Sequence, residues 1–247
     1  MESTAMLLLL VVALVIAGAV KGSTGMGLPT TALGILTLAL DPRSAIALIL
    51  VPMLVSNAWQ VYRSSEVLRA LGTYFPLGAV LVVGVGTTVA LTADAPDRFL
   101  FGMLGAAILV FVAVNLTPWA PRIPDRLDTP AQITAGALAG ILGGLTSVWA
   151  PPMAVYLAAR RVTKDEFVRA SGLLIFLGSV PLAIGYAAQG FLSAREVGIS
   201  FALLIPTFAG FAAGERLRHR LSETGFRRFL LGIFFVMGLN LIRRAVM

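Results

Sequence analysis

Long apolar stretches follow one another along this chain with no acidic residue near the middle of any of them, and this restricts the fold more than any other feature. The runs cover approximately residues 5–20, 28–40, 44–62, 71–93 and 98–116, then 131–145, 151–159, 167–188, 197–213 and 226–242. A bilayer core about 30 Å thick is crossed by roughly 20 apolar residues in a helix. Inside it each backbone polar group has to be bonded within the protein, which leaves helices or closed barrels. Several runs are apolar on all sides, as helices facing lipid or other helices are. The expected fold is an all-α polytopic membrane protein, one membrane-embedded domain over residues 1–247.

Composition agrees: 58% of residues are hydrophobic and 13% charged, with a mean hydropathy of +0.91. A soluble domain carries about 25% charged residues. The net charge of +7 comes from basic residues in loops between the runs, where they set topology rather than form a nucleic-acid footprint. With no cysteine there are no disulfides or thiolate sites, and the one histidine, His219, sits in a basic loop. Nucleophile, base and metal set are all lacking, so the chain does not read as an enzyme, and no cofactor is expected. The start, Met1-Glu2-Ser3-Thr4, lacks the basic flank of a secretory signal, so the first run is expected to be a retained helix.

The runs form two similar sets. Ala17-Gly18-Ala19-Val20-Lys21-Gly22-Ser23-Thr24-Gly25-Met26-Gly27-Leu28-Pro29 aligns without a gap on Ala139-Gly140-Ile141-Leu142-Gly143-Gly144-Leu145-Thr146-Ser147-Val148-Trp149-Ala150-Pro151, with identities at Ala17/Ala139, Gly18/Gly140, Gly22/Gly144, Thr24/Thr146 and Pro29/Pro151. Further on, Pro76 meets Pro206, Gly84 meets Gly214, and Arg98-Phe99-Leu100-Phe101-Gly102 meets Arg228-Phe229-Leu230-Leu231-Gly232. A duplication with repeats over about 5–116 and 131–247, joined by a linker at 117–130, accounts for these matches.

Each half then has four or five helical elements, with a short or broken helix after its glycine-rich break. If the short elements cross, the repeat is inverted and fourteen Lys and Arg fall on one side against five on the other; if they dip and return, the repeat is parallel and the split is eleven to seven, Lys21 being left unassigned. The positive-inside rule favours the inverted arrangement, with both termini outside.

Paired interruptions at matching points of two halves are the strongest sequence pointer to a transport site. The candidate substrate-binding residues are Gly22, Ser23, Thr24, Gly25, Gly27, Pro29 and Asn57 in the first half, and Gly143, Gly144, Thr146, Ser147 and Pro151 in the second. Helices starting near Pro29 and Pro151 would aim free N–H groups and a positive dipole end at an anion, and the Ser and Thr hydroxyls would add donors. Helix packing is an equal reading for the glycines, and an interhelical hydrogen bond for Asn57. Gln60, nearer the loop, reads as such a bond. Lys21 either adds a positive charge to the site or, the reading favoured here, snorkels to a headgroup.

Through its length, its duplicated halves and the break Gly22-Ser23-Thr24-Gly25-Met26-Gly27-Leu28-Pro29, the chain resembles the sulfite exporter TauE/SafE family of bacterial membrane permeases. The resemblance implies a multi-pass protein of the bacterial inner membrane that moves sulfite, a sulfonate or another small organic anion. Alternating access of one repeat against the other is the expected mechanism. Ser23, Thr24 and Met26 interrupt the denser glycine run typical of the family, and Ser147-Val148-Trp149 replaces much of the second. The expected partners are the lipid bilayer and a small anionic substrate, with homo-oligomerisation left open. A non-transporting scaffold subunit is the alternative, and an integral membrane enzyme a more distant one.

Overall fold

A computed structural model describes residues 3–64, 66–116, 122–217 and 223–247. Residues 117–121 of the linker and His219 lie outside the described residues. The first half contains α1 (Ser3–Thr24), α2 (Leu28–Leu36), α3 (Pro42–Tyr62), α4 (Val67–Thr73), α5 (Phe75–Leu91) and α6 (Asp97–Leu116). A 3-10 turn at Asp125–Leu127 leads into α7 (Asp128–Thr146), α8 (Ala150–Ala159), α9 (Lys164–Ala188), α10 (Ala194–Ala202), α11 (Leu204–Leu217) and α12 (Glu223–Val246). Among the described residues there is no strand, and five helical segments are long and apolar enough to cross a bilayer, or six with the bent pair α4–α5.

One of the expected uninterrupted spans is bent at a break, and another carries a one-residue irregularity without a comparable bend, so that it remains one span. The run at 71–93 bends by 79° between α4 and α5, and the run at 197–213 is interrupted at Leu203 between α10 and α11. Pro76 and Pro206 lie in the first turns of α5 and α11. A proline there has no N–H to continue the preceding helix but fits the start of a new one. At the α4–α5 hinge, Gln132 of α7 repairs the ladder: its Nε2 donates to the Thr73 carbonyl at 3.1 Å and its Oε1 accepts from Leu77 N–H at 3.4 Å. Pro52 within α3 leaves the Leu48 carbonyl without its helical donor, and the Ser200 hydroxyl of α10 donates to it at 2.7 Å while accepting from Val51 N–H at 3.2 Å.

Glycine seams lock the two halves together. A Cβ on Gly18 of α1 would lie 2.2 Å from the Thr207 carbonyl oxygen of α11, one on Gly22 2.2 Å from that of Phe211, and one on Gly214 2.1 Å from that of Ala19. The residue numbers rise together, so α1 and α11 run in the same direction. The α5–α7 pair repeats this: a Cβ on Gly136 would come within 2.7 Å of the Leu77 carbonyl oxygen, and one on Gly140 within 2.9 Å of Gly84 Cα. The first helix of each half thus packs on a late helix of the other half.

Corresponding helices also pair across the molecule. Gln60, near the end of α3, bonds to Val168 near the start of α9, while Arg43 at the start of α3 lies 5.3 Å from the Phe191 ring just beyond the end of α9. In α6 and α12, Gly102 approaches Ala245 and Gly105 approaches Gly238. Both pairs are antiparallel.

The close approach makes the seams intolerant of side chains. Gly214→Val should abolish the monodisperse, detergent-purified species seen by size exclusion, since overpacking costs about 1–3 kcal/mol even where atoms can shift, and here the obstacle is backbone. Gly72→Ala, with no atom within 4 Å of the added Cβ, should leave the profile unchanged.

Candidate functional site

The two breaks end their helices in the same way but restart them differently, Gly27 being left-handed at φ 97° where the aligned Trp149 is right-handed at φ -95°. Gly25 and Ser147 both adopt left-handed angles, at φ 85° and 54°. Gly25 N–H donates to the Lys21 carbonyl at 2.7 Å and Ser147 N–H to the Gly143 carbonyl at 2.7 Å, closing each helix with an αL cap. The Thr24 hydroxyl donates to the Val20 carbonyl at 2.8 Å and the Thr146 hydroxyl to that of Leu142 at 2.6 Å; the same oxygens accept from Met26 N–H at 3.3 Å and Val148 N–H at 3.2 Å. Ser23 donates to the Val20 carbonyl at 2.9 Å. Three of the four candidate hydroxyls are thus engaged in finishing the helix ends.

Gly22 and Gly144 are seam residues, Gly144 resting on Thr88 with 2.6 Å to an added Cβ. The helix starts differ in donor content. Gly27, at φ 97°, precedes α2, where Pro29 alone lacks an N–H. In α8, Pro151 and Pro152 together remove two donors from the first turn.

One cavity of about 470 Å³ brings together part of the first break with the ends of α3, α9 and α11. Lys21, Gly22 and Gly25 line it from α1, Trp59, Gln60 and Arg63 from α3 and its end, Val168 and Arg169 from α9, and Glu215 from α11. Gln60 Nε2 ties this floor together, donating to the Gly25 carbonyl at 3.3 Å and the Val168 carbonyl at 2.6 Å, as its interhelical reading required. At the mouth, Arg63 pairs with Glu215 at 3.2 Å, and Arg169 pairs with Glu66 at 2.8 Å and Glu166 at 2.9 Å.

Lys21 departs from the headgroup reading. It is 1% exposed, and its ammonium donates to Oδ1 of Asn57, itself 0% exposed. Asn57 Nδ2 donates to the Met53 carbonyl at 2.7 Å, which orients the amide oxygen toward the lysine. Asn57 precedes Gln60 by one turn of α3, so the ammonium meets α3 one turn further from Arg63 than the Gln60 amide does.

The second break is closed. In the alignment of the breaks Gly143 stands opposite Lys21, and the Trp149 ring covers it so tightly that an added Cβ would lie 2.3 Å from Cε3. Ser179, opposite Asn57, donates to its own helix at Ile175 over 2.6 Å. Ser147 Oγ and Trp149 Nε1 are buried without a hydrogen-bond partner among the described residues. Gly143, Gly144, Thr146, Ser147 and Pro151 do not line the cavity beside Lys21.

Sequence reasoning passed over Arg63, Arg169 and Glu215. Arg169 carried a signal, as the one charge inside the run at 167–188.

A family model for the sulfite exporter TauE/SafE matches residues 10–241, from α1 to the last turns of α12. The chain belongs to the TauE/SafE family. That makes it a member of a family of membrane permeases rather than of enzymes. Searches of curated proteins and of solved structures return no match.

The repeated caps of this TauE/SafE protein respond oppositely to substitution. A side chain in the left-handed region costs about 1–2 kcal/mol, so Ser147→Gly should raise the thermal midpoint in detergent. Gly25→Ala should lower it by more than Ser147→Gly raises it, since its Cβ would also lie 2.8 Å from Val168 Cγ2.

Proposed function

We propose that this TauE/SafE protein is a permease of the bacterial inner membrane that carries a small anion of the sulfite or sulfonate class by alternating access, its halves related as an inverted repeat. The observation that carries the reading is the pair of helix breaks with matching αL caps, at Gly25 and Ser147, on helices of opposite course. α1 ends beside Gln60 and the Arg63 end of α3. α7 begins at that same end, where Gln132 meets the α4–α5 hinge that follows α3. The antiparallel pairs α3–α9 and α6–α12 agree with a two-fold axis in the membrane plane, and the uneven loop charges favour a cytoplasmic Arg63 end.

The cavity at that end carries three basic side chains, Lys21, Arg63 and Arg169, against the carboxylates of Asp165 and Glu215, a balance that leaves room for an anion. Arg63 and Arg169 flank its mouth, and exposed ion pairs such as Arg63–Glu215 are worth only about 0–1 kcal/mol, so an entering anion can compete for the guanidinium.

Two experiments test this. In proteoliposomes, a panel of sulfite, sulfate, taurine, sulfoacetate and short carboxylates, with and without a pH gradient, should show saturable uptake of a sulfite-class or sulfonate anion; no flux for any of them refutes the permease reading. The absence of native cysteine makes single-cysteine labelling clean. Thr4→Cys and Met247→Cys should react from the periplasmic side and Arg126→Cys from the cytoplasmic side, whereas a parallel repeat puts all three on one side.

A further inference from the structure

We infer that the Lys21 ammonium is the charge that holds the transported anion, and that the protein has one such site, built in its first half alone. The inference rests on the permease reading and names the residue and the number of sites.

An ammonium has three protons to donate. Lys21 gives one to Asn57 Oδ1, and among the described residues no second acceptor and no carboxylate meets the other two. Buried charges are ordinarily paired, because an unpaired one loses its hydration without return. Within a membrane span such a residue marks a substrate path. Lys21 is fully enclosed yet belongs to the wall of a cavity that leads inward from the Arg63 mouth. The other cations of that cavity are already neutralised, Arg63 by Glu215 and Arg169 by Glu66 and Glu166. Asp165 and Glu215 also line the cavity, yet among the described residues neither forms an ion pair with Lys21, which is held instead by Asn57, itself fixed by its bond to Met53.

The second half shows why the site is single. Gly143 supplies no side chain where the first half has Lys21, the Trp149 ring occupies the space above it, and Ser179 turns back to its own helix. The two copies keep the same helix cap and differ in what surrounds it, an anchor in one and a plug in the other.

The test compares wild type with Lys21→Met, Lys21→Gln and Lys21→Arg, using sulfite and taurine as probes for both binding (thermal shift and calorimetry in detergent) and proteoliposome flux. Loss of one partner of a charged contact lowers affinity by at least about 30-fold. Lys21→Met and Lys21→Gln should therefore lose the ligand-induced thermal shift and most flux while melting no lower than wild type without ligand, since both remove a buried charge. Lys21→Arg should keep measurable binding, and calorimetry should give one anion per wild-type chain. Flux and thermal shift unchanged in Lys21→Met or Lys21→Gln would overturn the anchor, and two anions per chain would overturn the single site. Both outcomes leave the permease reading standing. If wild type binds and carries neither probe nor any other anion of the panel, both readings fail together.

Discussion

A bilayer supplies no water to a bare peptide group, and every interruption of a helix in this protein is built around that fact. An unbonded N–H or C=O in hydrocarbon costs several kcal/mol, so a break is possible only where another group restores what the helix loses. Thr24 and Thr146 do this locally, each turning its hydroxyl back to the preceding turn and accepting the first N–H beyond the cap. Elsewhere the repair comes from a neighbouring helix. Gln60 takes up the Gly25 carbonyl, Gln132 bridges the α4–α5 hinge, and Ser200 serves the carbonyl released by Pro52. Polar side chains in the spans are thus mostly committed to the backbone, which is why Lys21, with protons unmet, stands apart.

The membrane class and the positions of the two helix breaks were legible in the sequence, because each depends on local pattern. Glycine, threonine and proline recur at matched positions since a left-handed cap, a hydroxyl to close it and a proline to restart the helix are local needs. What could not be read depends on distant partners. Lys21 looked like a headgroup residue because snorkelling needs only nearby water, whereas its partner Asn57 lies on another helix. Trp149 shows in the sequence as a departure from the family's second glycine run, but that its ring covers Gly143 is visible only in the fold. The hinge at Tyr74 was hidden for another reason: the residues around Pro76 stay apolar through the bend, so hydropathy does not register it.

The glycine seams bear on how such a molecule can move. A motion that separated residues 5–116 from 131–247 as rigid bodies would have to open the α1–α11 and α5–α7 contacts, where helices meet backbone to backbone and no flexible side chain can take up displacement. Packed interfaces of this kind move as units. The cheaper division keeps α1 with α11 and α5 with α7, so each moving body contains elements of both halves. The sliding surface then falls on the α3–α9 pair, where contact is made by side chains such as Gln60 against Val168 and Gly172. The Gln60 amide holds the first break to α3 and α9 at once. A shift along that surface would therefore act on the Gly25 cap and the cavity floor beside Lys21 together, while the Ser147 cap, bonded within its own helix, has no such tie.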